Sequence, residues 1–416
     1  MKSPSQAAHA GAQVALVARQ PIFDSRLSVI AHELLYRPAP RAGQPGPFDG
    51  SQATARVIVD SCLEIGLDRL AGSVPAHINF PRELLVSDAP LPVDPARVVI
   101  EVLESVRADC DVLEALAAWR RRGHRIALDD FCWETSDPAL LDCADIVKLD
   151  VQQLGNSQLE RTYERLRGRE LTIVAEKVET VSELERCKAL GFDAFQGYFL
   201  GRPELFRGRR IPTDRLATIR ILAELQNPDV DSAALEQLVA RDAGTSYRIL
   251  RCIKSSFYRL ARPVDSIRQA ITVLGTDELR RLCAAVLLGK FDDHPLQLLT
   301  NTLVRARMCE LLAKAGGIRE TGPYFMTGLL STLDALLGLP QKEALDQIPL
   351  AEPVVRAVLN SEGDLGRRLR WVQDYESGRW DALRQSGLSN QQLLEAYLAA
   401  IAWADGTAGA LAPVET

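Results

Sequence analysis

The chain has 416 residues, 47% of them hydrophobic and 25% charged, and a formal net charge of -6 with a pI near 5.6. That length suits two or three domains, and the mild acidity excludes a global field that would gather nucleic acid, so none is expected as a direct partner. Eight cysteines without any C-x-x-C pair exclude a zinc knuckle and a disulfide framework, which fits reduced thiols and a cytoplasmic location.

From the N-terminus, Met1 to Gly11 is small and polar without an apolar segment, so residues 1–13 read as a disordered terminus rather than a signal peptide. No apolar run anywhere approaches the roughly 18 residues a membrane span needs, and no membrane association is expected. Strand-like runs follow at Val14 to Val17, Val29 to Leu35, Ala76 to Phe80, Val98 to Leu103, Arg125 to Leu128, Ile146 to Leu149, Leu171 to Ala175 and Ala194 to Leu200. Between them, Asp111 to Arg122 carries Leu113, Leu116 and Ala117 on one helical face and stops at Gly123. Thr180-Val181-Ser182-Glu183 has capping-box spacing and opens a helix that ends at Gly191. About eight strands alternating with helices over about 190 residues predict a (β/α) barrel rather than an open sheet.

Beyond Pro203 the strand-like runs give way to helical stripes, with Gly201 to Pro212 as the join. The stripes are Ile267, Ile271 and Leu274; Leu279, Leu282, Cys283, Val286 and Leu287; Val304, Met308, Leu311 and Leu312; and Leu393, Leu394, Tyr397, Leu398 and Ile401. Such stripes are core far more often than cofactor boxes, so the second half reads as all-α. The expected organisation is a barrel over 14–205, a helical domain over 206–404 and a flexible Ala/Gly-rich tail over 405–416.

The barrel strands end in charge. Glu33, Asn79, Glu101, Asp129, Asp130, Lys148, Glu176 and Gln196 fall at the same end of successive strands, the edge at which parallel α/β folds collect chemistry. One carboxylate beside a strand is usually a solvated loop charge; a whole series in register is hard to read that way. Oxygen donors without a histidine cluster point to Mg²⁺ or Mn²⁺ rather than zinc. Carboxylates crowded on one rim need a divalent ion or a lysine to neutralise them, which favours a metal-dependent phosphoryl reaction.

These residues resemble those of EAL domains, the cyclic di-GMP phosphodiesterases. The likeness runs from about Arg19 to Pro203 and rests on Glu33-Leu34-Leu35-Tyr36-Arg37, His77-Ile78-Asn79, Glu101-Val102-Leu103-Glu104, Asp129-Asp130-Phe131, Val147-Lys148-Leu149-Asp150, Ala175-Glu176-Lys177-Val178-Glu179 and Gln196-Gly197-Tyr198. The resemblance implies Glu33, Asn79, Glu101 and Asp129 around a first metal and Asp130 toward a second. It implies Lys148 orienting the attacking water, Glu176 as base or second-metal ligand, Arg37 meeting a phosphate, and Glu179 and Gln196 supporting the site. Four departures stand out. Glu33-Leu34-Leu35 stands where the signature is Glu-Ala-Leu, Cys132-Trp133-Glu134-Thr135 replaces a small glycine-containing loop, Lys177 replaces a glycine, and Pro81 replaces a serine. A loop without glycine is expected to take another path, leaving the ligand shell as a scaffold or weak metal site.

The second half, from about Arg210 to Ala402, is similar to HDOD domains, helical relatives of HD-type phosphohydrolases. Where such hydrolases carry His-Asp, this chain has Ser331-Thr332, and His294 is the only histidine after residue 124. No metal and no hydrolase activity are expected there. Phe257 and Tyr258 read as buried in the core rather than presented to a partner, and Trp371, Tyr375 and Trp380 as core or interface rather than ligand stackers. The expectation is a cyclic di-GMP signalling protein with little or no phosphodiesterase activity, acting by contacts with other signalling proteins through its helical half, with a homodimer allowed. The competing readings are a working Mg²⁺- or Mn²⁺-dependent phosphodiesterase regulated by that half, and an adaptor that binds no nucleotide.

Overall fold

Alternation with period two decides the barrel. In the computed structural model, which describes residues 16–37, 66–87, 91, 93–197, 218, 221–222, 224, 231–240, 242–254, 258, 264–289, 296–337, 340–346, 348 and 350–411, eight strands close on one another in chain order. They are β1 (Leu16–Asp24), β2 (Val29–Arg37), β3 (Ala76–Phe80), β4 (Val98–Val102), β5 (Arg125–Leu128), β6 (Ile146–Asp150), β7 (Thr172–Glu176) and β8 (Ala194–Gln196). Ile22, Ala31, Val99, Ala127, Ile146, Val174 and Ala194 form one small apolar cluster that plugs the barrel. Two residues beyond six of these stand Glu33, Glu101, Asp129, Lys148, Glu176 and Gln196. A two-residue step along a strand keeps the same face, so the polar set forms the next layer up.

Two strand expectations are corrected. The first strand reaches Asp24 and runs antiparallel to both β2 and β8, because a tight turn follows in which Asp24 Oδ1 accepts the backbone N–H groups of Arg26 and Ser28 at 2.9 and 2.8 Å. Glu33 is also not at a strand exit: it is mid-way along β2, opposite Gln20. The last strand is described only to Gln196, and residues 1–13, the 201–212 join, Phe257 and His294 lie outside the described residues.

Outside the barrel, helix α1 (Cys110–Arg121) starts on the Asp109 cap and buries Val112, Leu116 and Trp119. Helix α2 (Val151–Leu166) is capped by Asp150, the last residue of β6. Helix α3 (Val181–Leu190) has the full Thr180/Glu183 capping box and a left-handed Gly191 at its end.

The helical half is built as its stripes predict. Leu279, Leu282, Cys283, Val286 and Leu287 are buried on α4 (Thr276–Leu288), and α5 (Leu296–Ala315) packs between α6 (Gly322–Leu330), α7 (Gly363–Glu376) and α8 (Asn390–Leu411). A flexible tail from 405 was expected, but α8 continues to Leu411 and buries Thr407, Ala408 and Leu411. Small residues there let the helix lie close to its neighbours, a packing role that composition alone reads as low complexity.

Both halves share a core at one seam. Leu16 and Ala18 of β1 belong to the apolar cluster of the helical half. Tyr375 Oη donates to the Val17 carbonyl at 3.0 Å, Tyr397 Oη accepts the Arg19 N–H at 3.0 Å, and Arg19 pairs with Asp405 at 2.9 Å. Because β1 is antiparallel, Leu16 to Arg19 lie opposite Leu34 to Arg37, beyond Glu33 toward the C-terminal ends of the parallel strands. The helical half therefore sits at the mouth side of the barrel.

Candidate active site

Lys148 is the centre of the mouth. It is fully buried, with Nζ 3.0 Å from Glu33 Oε2, 3.3 Å from Asp129 Oδ1 and 2.5 Å from Glu176 Oε1, and in contact with Glu101 Oε1 as well. Gln196 Nε2 donates to Glu33 Oε2 at 2.6 Å, and Asn79 Nδ2 approaches Glu33 Oε1 at 3.4 Å. Register explains the convergence, since Asn79 lies opposite Glu101 and Asp150 opposite Glu176 in parallel pairs.

Four carboxylates around one ammonium cannot all be comfortably ionised. Burial holds the Glu101 and Glu176 carboxyls well above the usual carboxylate range, against the pull of Lys148. Asp129 is raised too, by burial and by the neighbouring Glu33 and Asp130 charges. Glu33 alone of the four goes down: burial opposes its charge, but Lys148 and the Gln196 hydrogen bond outweigh it. Burial likewise disfavours the Lys148 charge, yet the surrounding carboxylates raise its pKa well above the ordinary lysine value. His77, with Nδ1 3.9 Å from Glu101, is lowered to about 3 by burial and then by Lys148, so it is neutral.

The donor set fits a hard divalent cation. Ligand oxygens of Glu33, Glu101 and Glu176 lie within 4.8 Å of one another, and so do those of Asp129, Asp130 and Glu176. Asn79 Oδ1 and Glu101 Oε2 are buried with no hydrogen-bond partner among the described residues, a costly state for polar atoms that a cation would relieve. Both acidic groups able to hold a metal among the described residues lie on the barrel.

The structure thus gathers Glu33, Asn79, Glu101, Asp129, Lys148, Glu176 and Gln196. Asp130 stands at the edge, in a left-handed conformation at φ 44°. Glu179 is half-buried on the turn after β7, its N–H held by Glu183 Oε2 at 2.8 Å. Arg37 ends β2 and its side chain lies outside the described residues.

Two residues of this region were not singled out as site residues by the sequence: Lys177 and Asp150. Lys177 is also left-handed, at φ 53°, a conformation that costs a side-chain-bearing residue about 1 kcal/mol or more. Its Nζ lies 2.5 Å from Asp150 Oδ2 and 3.2 and 3.3 Å from the two Asp130 oxygens. The glycine-replacement at 177 was visible in the sequence; the partners its ammonium finds were not.

The loop after Asp130 folds back onto α2. Trp133 lies under the Arg165 guanidinium at 3.8 Å and meets Phe131 edge-on, while Glu134 Oε2 accepts from Gln158 Nε2 at 2.8 Å and Cys132 N–H donates to Ser136 Oγ at 3.0 Å. No residue from Cys132 to Ser136 has a positive φ. The bulky residues of this loop thus pack it against α2. Glu104 is exposed.

In the helical half, Thr332 Oγ1 and Thr302 Oγ1 share a hydrogen bond of 2.8 Å, and Ser331 Oγ donates to the Gly328 carbonyl at 2.7 Å. Both positions line a cavity of about 260 Å³ between the halves, which Gln20 and Gly197 line from the barrel and Gln297 and Asn301 from the helical half. Tyr258 packs inward as expected: its hydroxyl donates to Glu278 Oε1 at 2.7 Å, an oxygen that also accepts from Trp403 Nε1 at 2.9 Å. Tyr375 is fully buried at the seam.

The EAL domain model matches residues 76–203 and the HDOD domain model residues 211–341. Over 395 residues the chain is 32% identical to cyclic di-GMP phosphodiesterase CdgJ of Vibrio cholerae, covering 91% of each. This chain belongs to the EAL–HDOD family. It is also similar to the uncharacterized protein YuxH of Bacillus subtilis, 32% identical over 398 residues, 93% of this chain and 97% of that one. Among solved structures it is similar to the calcium and cyclic di-GMP complex of BlrP1 from Klebsiella pneumoniae, at 24% identity and a TM-score of 0.38 over 47% of this chain and 57% of that one. As an EAL–HDOD protein it carries a phosphodiesterase-like barrel within the cyclic di-GMP network. The EAL match begins at β3, so β1 and β2, which bring Glu33 and close the barrel, precede it.

Proposed function

We propose that the barrel mouth binds cyclic di-GMP together with a divalent cation and hydrolyses it slowly or not at all, and that the helical half carries the bound state to other proteins. The observation that carries this reading is the combination of a complete oxygen ring around Lys148 with a second lysine, Lys177, fixed on Asp130. Glu33, Asn79, Glu101 and Asp129 would hold the cation. Such an ion, when bound, would neutralise phosphodiester charge and lower the pKa of water. Glu176, buried and 2.5 Å from Lys148 Nζ, is the carboxylate placed to act as base. Lys148 is placed to donate to a phosphate oxygen once the carboxylates have another cation to bind, and Gln196 keeps Glu33 oriented. The seam at β1 supports a route from this mouth to the helical half, because Tyr375 and Tyr397 hold the strand that pairs with the Glu33 strand.

A working phosphodiesterase with a regulatory helical half is the second reading, favoured by the relative named for that activity, to which 91% of this chain aligns. Incubating the purified full chain with Mn²⁺ and cyclic di-GMP separates the two. The proposal expects little or no linear dinucleotide; rapid turnover that is lost in Glu33→Ala and Lys148→Ala selects the second reading.

A further inference from the structure

Three carboxylates at the edge of the mouth, Asp129, Asp130 and Glu176, are close enough to share a cation, yet one of them, Asp130, is already held by an ammonium. Lys177 reaches both oxygens of Asp130 and one of Asp150. Its position is fixed at both ends. Gln152 Nε2 donates to the Lys177 carbonyl at 3.2 Å, and Asp150, whose other oxygen caps α2 through the Gln152 and Gln153 N–H groups, holds the ammonium. Asp150 is largely buried, with 7% of its side chain exposed, so this carboxylate has little water to turn to. Lys177 and Asp130 are moreover two of only four non-glycine residues with positive φ among the described residues. Two left-handed residues joined by an ion pair are a strained arrangement that a casual surface contact would not sustain.

We infer that the Lys177 ammonium takes the place of one divalent cation at the Asp129, Asp130 and Glu176 edge, so that the unmodified chain holds one cation fewer than these carboxylates would otherwise take. The inference deepens the reading above and rests on the mouth being a cation site. A cation bound by Asp130 would have to approach to about 2.0–2.2 Å from its oxygens, in the space the ammonium fills at 3.2 Å. Lysine brings one charge where a divalent ion brings two, and has no open position for a water. A rim so equipped keeps charge balance and loses the second half of a two-ion clamp.

The test is Mn²⁺ uptake by the full chain in equilibrium dialysis without nucleotide. Lys177→Gly and Lys177→Asn, both suited to the left-handed conformation, should each bind one more Mn²⁺ per chain than the unmodified protein. Lys177→Arg, which keeps the charge, should bind the unmodified number. Equal uptake by the unmodified chain and the glycine and asparagine variants overturns the inference, whatever that number is, and so does a gain in the arginine variant. Electron paramagnetic resonance supplies a second readout: the unmodified chain should give the pattern of isolated Mn²⁺, and an exchange-coupled pair there contradicts the proposal. Because no nucleotide is present, a failure to bind cyclic di-GMP would be seen separately.

Discussion

The barrel mouth and the corresponding place in the helical half solve opposite problems. At the mouth one buried ammonium serves four carboxylates, and Asn79 Oδ1 and Glu101 Oε2 remain without partners among the described residues. At Ser331 and Thr332, short hydroxyls are satisfied by Gly328 and Thr302. Donors that neighbouring groups leave short of partners are the ones a ligand can recruit; hydroxyls already bonded to backbone and to each other serve packing. One fold half thus keeps an electrostatic demand that a cation can meet, while the other shows its polar groups at this place already paired.

The largest expected effect comes from breaking the mouth. Lys148→Met would leave Glu33, Glu101, Asp129 and Glu176 facing one another, and stability should fall by about 3–5 kcal/mol, as when one partner of a buried ion pair is lost. Thermal unfolding should recover in Mn²⁺ more strongly than the unmodified protein gains from it. A variant as stable as the parent without metal would show that the carboxylates are simply protonated.

A smaller effect sharpens the comparison from the helical side. Burial pushes the Asp334 carboxyl up to about 6 from 3.8. Its folded form holds the proton more tightly than the unfolded chain, so its contribution is fullest below pH about 4 and is lost as pH rises to about 6. Asp334→Asn removes that loss, and at pH 7 the variant should be more stable by about 3 kcal/mol, the gap closing toward pH 4. Denaturant midpoints of the two proteins across that range measure it; a gap independent of pH would contradict it.

The smallest effect concerns the seam. Tyr375→Phe removes the hydroxyl that bonds the Val17 carbonyl, at a cost of about 1–2 kcal/mol. Hydrogen exchange should rise in β1 and leave β4 to β7 unchanged; uniform loosening would mean that the seam is not a local element.

Much of this was legible before the fold was seen. The ends of Glu101, Asp129, Lys148, Glu176 and Gln196 strands announce themselves, because an apolar run stopping in charge is a one-dimensional signal. The helical stripes at 279–287 and 393–401 are equally direct. What the sequence hid were relations between distant segments. The antiparallel direction of β1 depends on a turn at Asp24, and the partners of Lys177 on β6 and the Asp130 bend. The helical run through Leu411 was hidden by its small residues, which read as linker until their burial is known.

The account's central claim is that the ring around Lys148 still serves cyclic di-GMP. Calorimetric titration of the full chain with cyclic di-GMP in Ca²⁺ tests it most directly. The account predicts saturable binding of one dinucleotide per chain that disappears in Glu33→Ala, whereas no binding by the unmodified chain, or equal binding by both, would contradict it.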